Sequence, residues 1–280
     1  MKGGRLMHKW VGGHSIAYRI AGQGAPLVLL HGFLCDSRCW RTQLTGLSDE
    51  FMLVAWDAPG AGLSSDPPDS FTVTDWAQIL AEFLDEIGVT RAHFLGLSWG
   101  GLLAQELYRL YPGRVDHLVL ADTYAGWKGS LDAEMTERRR SRCYRDASRP
   151  KEEVVAEWVP AEFFMNASEA LRAEMASVVA EFHPLGFRLM AKALADTDTS
   201  PALKTIKAPT LLLWGEGDQR SPLSVAERFH AAIRTSELEV IPRAGHVCNM
   251  ERPVEFNAMV RRFLTVDRGP GRASSSTGLR

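Results

Sequence analysis

The feature that most restricts the fold of this chain is a set of short apolar runs, each ending abruptly in a turn. PLVLL (26–30) stops at His31-Gly32, FMLVAW (51–56) stops at Asp57 and then Pro59-Gly60, and HLVLA (117–121) stops at Asp122. Runs that are apolar on both faces suit parallel strands covered by helices on each side. Helical periodicity lies between them. DWAQILAEFLDEI (75–87) has Thr74 or Asp75 placed to cap it and Gly88 to stop it, and 99–111 follows the run AHFLGL (92–97). Residues 14–20 alternate loosely and predict a strand near an edge. This strand–helix–strand rhythm predicts βαβ units in one mostly parallel α/β sheet.

The rhythm breaks after Asp122. Residues 123–200 contain helical stretches near 130–148, 150–158, 168–181 and 185–196 and no convincing strand. The strand pattern resumes with TLLLW after Pro209 and continues through a helix at 222–233, a strand at 237–241 and a final helix near 253–265. The chain therefore divides into an α/β core (1–122 and 201–266), a helical insertion (123–200) and a tail (267–280) whose Gly, Ser and Arg content predicts disorder. The dense arginines at 138, 139, 140, 142, 145 and 149 are expected to form a solvated helix face, with anion binding the alternative.

Composition removes several function classes. A formal net charge of −2 gives no basic surface for nucleic acid or anionic membrane. No apolar run reaches the roughly 20 residues that span a bilayer. The N-terminus MKGGRLMHKW has no apolar h-region, so a cytoplasmic location is expected. Cys35, Cys39, Cys143 and Cys248 are too few for a disulfide scaffold and lack zinc-ligand spacing, so they are expected to be buried or free thiols, with no metal and no organic cofactor. Cys35 and Cys39 would share a face if they lie on a helix.

Three residues have the types and positions needed for nucleophilic catalysis. Ser98 lies in Gly96-Leu97-Ser98-Trp99-Gly100, after a predicted strand and before a predicted helix. That setting suits a nucleophile elbow: a strained turn whose glycines avoid Cβ clashes and which aims the hydroxyl above the sheet. A serine hydroxyl needs a base. Of the eight histidines, His246 best fits, lying between the strand 237–241 and the last helix. His93 and His117 fall at strand starts, the wrong end of a parallel sheet; His8 and His14 precede the parallel core, and His230 lies within a helix. Asp218, in WGEGD after the strand 209–214, would orient the base, with Asp122 its competitor and Glu216 a lesser one. Two backbone N–H groups must face an oxyanion: Trp99, next to the nucleophile, and Phe33 (or Leu34) in the turn after 26–30. His31 and Asp57 are expected to be turn residues.

Five ordered stretches, LLHGF (29–33), DAPGAGLS (57–64), GLSWGG (96–101), LLLWGEGD (211–218) and AGHVCNMERPVEFN (244–257), make residues 26–265 resemble the α/β-hydrolase fold superfamily. The resemblance implies a mostly parallel eight-stranded sheet and a helical cap over the active site made by 123–200. It is nearest to small bacterial esterases, enol-lactonases and carbon–carbon bond hydrolases. Ser98 stands where epoxide hydrolases and haloalkane dehalogenases carry aspartate. HGFL replaces the HGGG of hormone-sensitive-lipase-like esterases, and Leu34-Cys35-Asp36 departs from the glycine- and proline-rich turn of meta-cleavage hydrolases. The implied activity is hydrolysis of a small-molecule carboxylic ester or lactone through an acyl-enzyme on Ser98, by a monomer or homodimer. Carbon–carbon bond hydrolase, thioesterase and cofactor-free perhydrolase activities on the same residues are alternatives, as is a small-molecule receptor. The cap aromatics Trp127, Trp158, Phe163, Phe164, Phe182 and Phe187 are expected either to line an apolar pocket or to pack the cap.

Overall fold

The computed structural model describes residues 3–163 and 167–266. The tail 267–280 and Phe164 lie outside the described residues. One eight-stranded sheet has the order β1-β2-β4-β3-β5-β6-β7-β8. Its strands are β1 (Arg5–Val11), β2 (His14–Ala21), β3 (Ala25–Leu30), β4 (Phe51–Trp56), β5 (Ala92–Leu97), β6 (Val115–Ala121), β7 (Thr210–Gly215) and β8 (Ser236–Ile241). β1 and β2 form an antiparallel hairpin, and β2 runs antiparallel to β4. The remaining pairs are parallel.

β5 and β7 are buried along their whole length, as two-sided apolar runs require. Each fully buried Leu or Phe of these strands contributes about 1.5–3 kcal/mol of hydrophobic stabilisation. Helices Val73–Glu86 and Trp99–Leu110 pack on one another, and Arg41–Gly46 packs on Pro253–Val266. No described helix is long and apolar enough to cross a membrane.

The strand expected near an edge at 14–20 is β2, next to the edge strand β1. β1 leaves no apolar run in the sequence because nearly all of it is solvent-facing or half-buried, with Trp10 71% exposed. The cap of helix Val73–Glu86 is Thr72, which accepts from the Asp75 N–H while the Asp75 carboxylate accepts from the Thr72 N–H. Thr74 is drawn away from capping and donates to Glu106 Oε1 at 2.6 Å.

Between β6 and β7 the chain forms helices Ala133–Asp146, Lys151–Trp158, Glu169–Val179 and Pro184–Asp196, with shorter turns between them. The chain leaves β3 for β4 on one side and later places β5 on the other. A crevice opens at the carboxyl ends of strands where the order reverses in this way, so the turns after β3 and β5 face each other there.

Candidate active site

Ser98 follows β5 and caps helix Trp99–Leu110 with φ 53° and ψ −114°. A non-glycine residue at positive φ stores backbone strain and survives only where its surroundings impose it. Here the Ser98 N–H donates to Ala121 O at 2.9 Å, and Thr123 Oγ1 donates to Ser98 O at 2.5 Å. Glycines make the turn possible. A Cβ on Gly96 would collide with the Gly100 backbone, and one on Gly100 would collide with the carbonyl oxygen of Leu30. The elbow geometry expected from the motif is therefore present.

The structure brings Ser98, His246 and Asp218 together. His246 Nε2 lies 2.9 Å from Ser98 Oγ, and Nδ1 lies 2.8 Å from Asp218 Oδ2. All three are buried, each 5–6% exposed. His246 is held by its own N–H, which donates to Glu162 O at 2.9 Å. The other carboxylate oxygen of Asp218 accepts from Arg220 N–H at 2.8 Å and Ser221 N–H at 3.0 Å. Asp218 is thus fixed on both oxygens, one by backbone and one by imidazole.

The two competing acids, Asp122 and Glu216, are engaged elsewhere. Asp122 closes β6 at φ 45°, is fully buried, and accepts from Gly215 N–H at 2.8 Å. Burial first, and then the neighbouring charge of Asp218, push its carboxyl well above the carboxylate range. Glu216 is exposed and accepts from Arg243 N–H at 3.0 Å.

Phe33 and Trp99 lie on the two turns that meet at the crevice. A Cβ on Gly32 would come within 3.4 Å of Ser98 Cβ, so the turn after β3 abuts the elbow. Trp99 is the first helical residue, whose N–H has no intrahelical acceptor. Leu34, the alternative to Phe33, takes φ 59° in the same turn.

His31 is a turn residue, as expected. Its Nδ1 meets Gly32 O at 2.8 Å and its Nε2 accepts from Ala58 N–H at 3.0 Å, which identifies Nδ1 as the protonated nitrogen. Burial lowers its basicity. Asp57 is a turn residue too, accepting from Ser37 N–H at 2.8 Å and Leu63 N–H at 2.9 Å. Cys35 precedes the turn of 3-10 helix Ser37–Trp40, so no helix places it on one face with Cys39. All four cysteines are buried and unpaired. Among the described residues no group of three or more His, Cys, Asp or Glu side chains is arranged to hold a metal ion.

A cavity of about 330 Å³ opens onto Ser98 and His246. Of the aromatics in the inserted segment, Tyr124, Trp127 and Trp158 line it. Phe182 and Phe187 instead line a smaller hollow, and Phe187 stacks on Phe33 with ring centroids 4.6 Å apart. Phe163 packs half-buried against the core.

The arginine run departs from its expected role. Arg140 and Arg145 point outward into ion pairs with Glu137, Asp196 and Asp146. Arg138, Arg139 and Arg142 line the cavity, with Arg220. Charge density alone suggested a solvated face, and only the register of the helix separates the two sets. The signal was present: Met135, Arg138, Arg139 and Arg142 follow i, i+3, i+4, i+7 spacing.

The alpha/beta hydrolase family model matches residues 27–259. The chain is 32% identical over 249 residues to the candidate carbamate hydrolase RutD of Cronobacter turicensis, covering 85% of this chain and 90% of that protein. It is 26% identical over 229 residues to 3-oxoadipate enol-lactonase 2 of Acinetobacter baylyi, covering 80% and 84%. Among solved structures, a thermophilic esterase from Thermogutta terrifontis superposes with a TM-score of 0.85 at 28% identity, covering 93% of this chain and 98% of that one. With the family match spanning most of the chain, its sheet order and its strand-to-helix turn at Ser98, this protein belongs to the alpha/beta hydrolase family.

Proposed function

We propose that the protein is a serine hydrolase of carboxylic esters or lactones that works through an acyl-enzyme on Ser98. The observation that carries this reading is the continuous chain Ser98 Oγ, His246, Asp218, with both ring nitrogens engaged at 2.9 and 2.8 Å inside a cavity-facing, water-poor site.

His246 Nε2 takes the proton of Ser98 Oγ as the oxygen attacks the substrate carbonyl. Asp218 holds Nδ1–H and stabilises the imidazolium that forms. The N–H groups of Trp99 and Phe33 receive the oxyanion, each worth about 2.7–4 kcal/mol to the transition state. Collapse of the tetrahedral intermediate breaks the acyl–oxygen bond, and His246 returns the proton to the departing alcohol. Water then attacks the acyl-enzyme with His246 again as base, freeing the acid and restoring Ser98. The helical segment 123–200 acts as the cap, since it supplies Trp127, Trp158 and the arginines of the cavity wall.

Names among the relatives, an enol-lactonase and an esterase, support the ester class. The test is hydrolysis of 4-nitrophenyl acetate, butyrate and octanoate by the wild type beside Ser98→Ala. Turnover that vanishes in the variant supports the reading. Turnover that persists in Ser98→Ala overturns it.

A further inference from the structure

Helix Ala133–Asp146 turns one face to the cavity, and that face carries Met135, Arg138, Arg139, Arg142 and Cys143. The inward stripe of a packed helix is ordinarily apolar. Here guanidinium groups occupy it, over the same space that holds Ser98 and His246.

The four cavity arginines differ in how they are neutralised. Arg142 lies 2.8 Å from Glu157 and 3.4 Å from Asp146. Arg220 lies 2.6 Å from Glu162. These two guanidiniums also rest on Trp158, 4.5 and 4.6 Å from its ring centroid. Arg139 has no acid within ion-pair reach among the described residues. It donates to Tyr124 Oη at 2.8 Å and to Arg220 O at 3.0 Å, two neutral acceptors. Arg138 is exposed, and its contact is with Met135 Sδ at 3.1 Å. The one carboxylate lining the cavity among the described residues, Glu162, is already used by Arg220.

The cavity therefore has excess positive charge on half-buried, planar donors. A guanidinium fork matches a carboxylate in two parallel hydrogen bonds, and Arg139 retains N–H groups beyond the two it spends. A cation withdrawn from water without a counter-ion is unfavourable, so a ligand's anion would be held strongly there.

We infer that the site takes small esters or lactones that carry a free carboxylate, with Arg139 as the principal anion-binding residue and the scissile carbonyl at Ser98. This rests on the ester-hydrolase reading and narrows its substrate class. Hydrolysis adds one water across the acyl–oxygen bond and needs no oxidant or reductant.

The experiment compares size-matched pairs that differ in charge: 4-nitrophenyl hydrogen adipate against 4-nitrophenyl hexanoate, and 4-acetoxybenzoate against its methyl ester. The expected result is at least a tenfold higher kcat/KM for the anion in one pair. That preference falls about tenfold or more in Arg139→Gln, is partly kept in Arg139→Lys, and is unchanged in Arg140→Gln, on the outer face. Equal or reversed preference in both pairs overturns the inference, as does preference that survives Arg139→Gln. If Arg139→Gln does not fold, loss of the preference at raised ionic strength with Arg139→Lys takes its place, and insensitivity to both overturns it. If the wild type cleaves none of these esters, the ester reading fails separately. Calorimetric binding of monomethyl adipate to Ser98→Ala then decides the anion site: binding that exceeds that of the neutral methyl hexanoate supports it, and no binding overturns it.

Discussion

His246 Nε2 lies 2.9 Å from Ser98 Oγ although 148 residues separate them in the chain. The contact is made by two loops leaving the carboxyl ends of β5 and β8, at positions set by the sheet. It needs no movement of either backbone, so under the proposed mechanism the two groups are paired before substrate arrives, and the entropy of bringing them together is spent on folding.

Ser98→Ala is expected to lose all labelling by an organophosphonate and at least about 10³-fold in ester turnover, leaving only the rate given by binding and the oxyanion donors. Mass spectrometry of the labelled protein checks this. A label found on a different serine would remove Ser98 from the role.

Ser98→Gly is expected to be more stable than Ser98→Ala by about 1 kcal/mol, since each loses the hydroxyl but glycine alone accepts φ 53° without strain. Urea unfolding of the two variants measures the difference. Alanine equal to or above glycine would mean that the turn stores no strain.

Asp218→Asn is expected to cost about 10³–10⁴-fold in kcat by favouring the wrong imidazole tautomer. Asp122→Asn should cost far less, because Asp122 accepts from Gly215 N–H and leaves His246 to Asp218. The raised Asp122 carboxyl also has a signature in stability. Above the usual carboxylate range the folded state still holds the proton that the unfolded state has released, so stability falls as pH rises between the two values. Denaturation followed against pH should show a flatter slope in Asp122→Asn; an unaltered slope would place the titration elsewhere.

Asp146 should have the opposite sign. Burial acts to raise it, but hydrogen bonds from Trp158, Arg149 and Arg142 outweigh burial and hold the carboxyl below its ordinary range. Its contribution is present above the unfolded value and is lost as pH falls through the folded one. Asp146→Asn should therefore lose stability at neutral pH and less at acid pH, with thermal melts across that range as the readout. Equal losses at both ends would contradict the assignment.

Gly100→Ala is expected to destabilise the fold by about 3 kcal/mol or more, since the added methyl would enter the backbone of β3 at Leu30. Thermal unfolding measures it; a loss below 1 kcal/mol would mean that the elbow and β3 have room to separate.

Most of the scaffold was written locally. The two-sided apolar runs of β3, β4, β5, β6 and β7 identify buried parallel strands because every residue of such a strand meets a covering helix. Ser98 was legible because a strained strand-to-helix turn needs small residues at Gly96 and Gly100, a requirement that can be seen within five residues. β1 was not legible, since its residues face solvent and follow no core-facing pattern. The choice between Asp218 and Asp122 was not local either. Both follow parallel strands, and only three-dimensional packing turns one toward His246 and buries the other against Gly215. The arginines were ambiguous for the same reason: composition reports charge, while which guanidinium meets a carboxylate and which is left facing Ser98 depends on the register of helix Ala133–Asp146 against the core. The sequence by itself determined the strand–helix order and the elbow, because these follow from neighbouring side chains and backbone sterics. The tertiary structure alone decided the contact that separates Asp218 from Asp122, the walls of the cavity and its charge, because those depend on distances between segments that the chain keeps far apart.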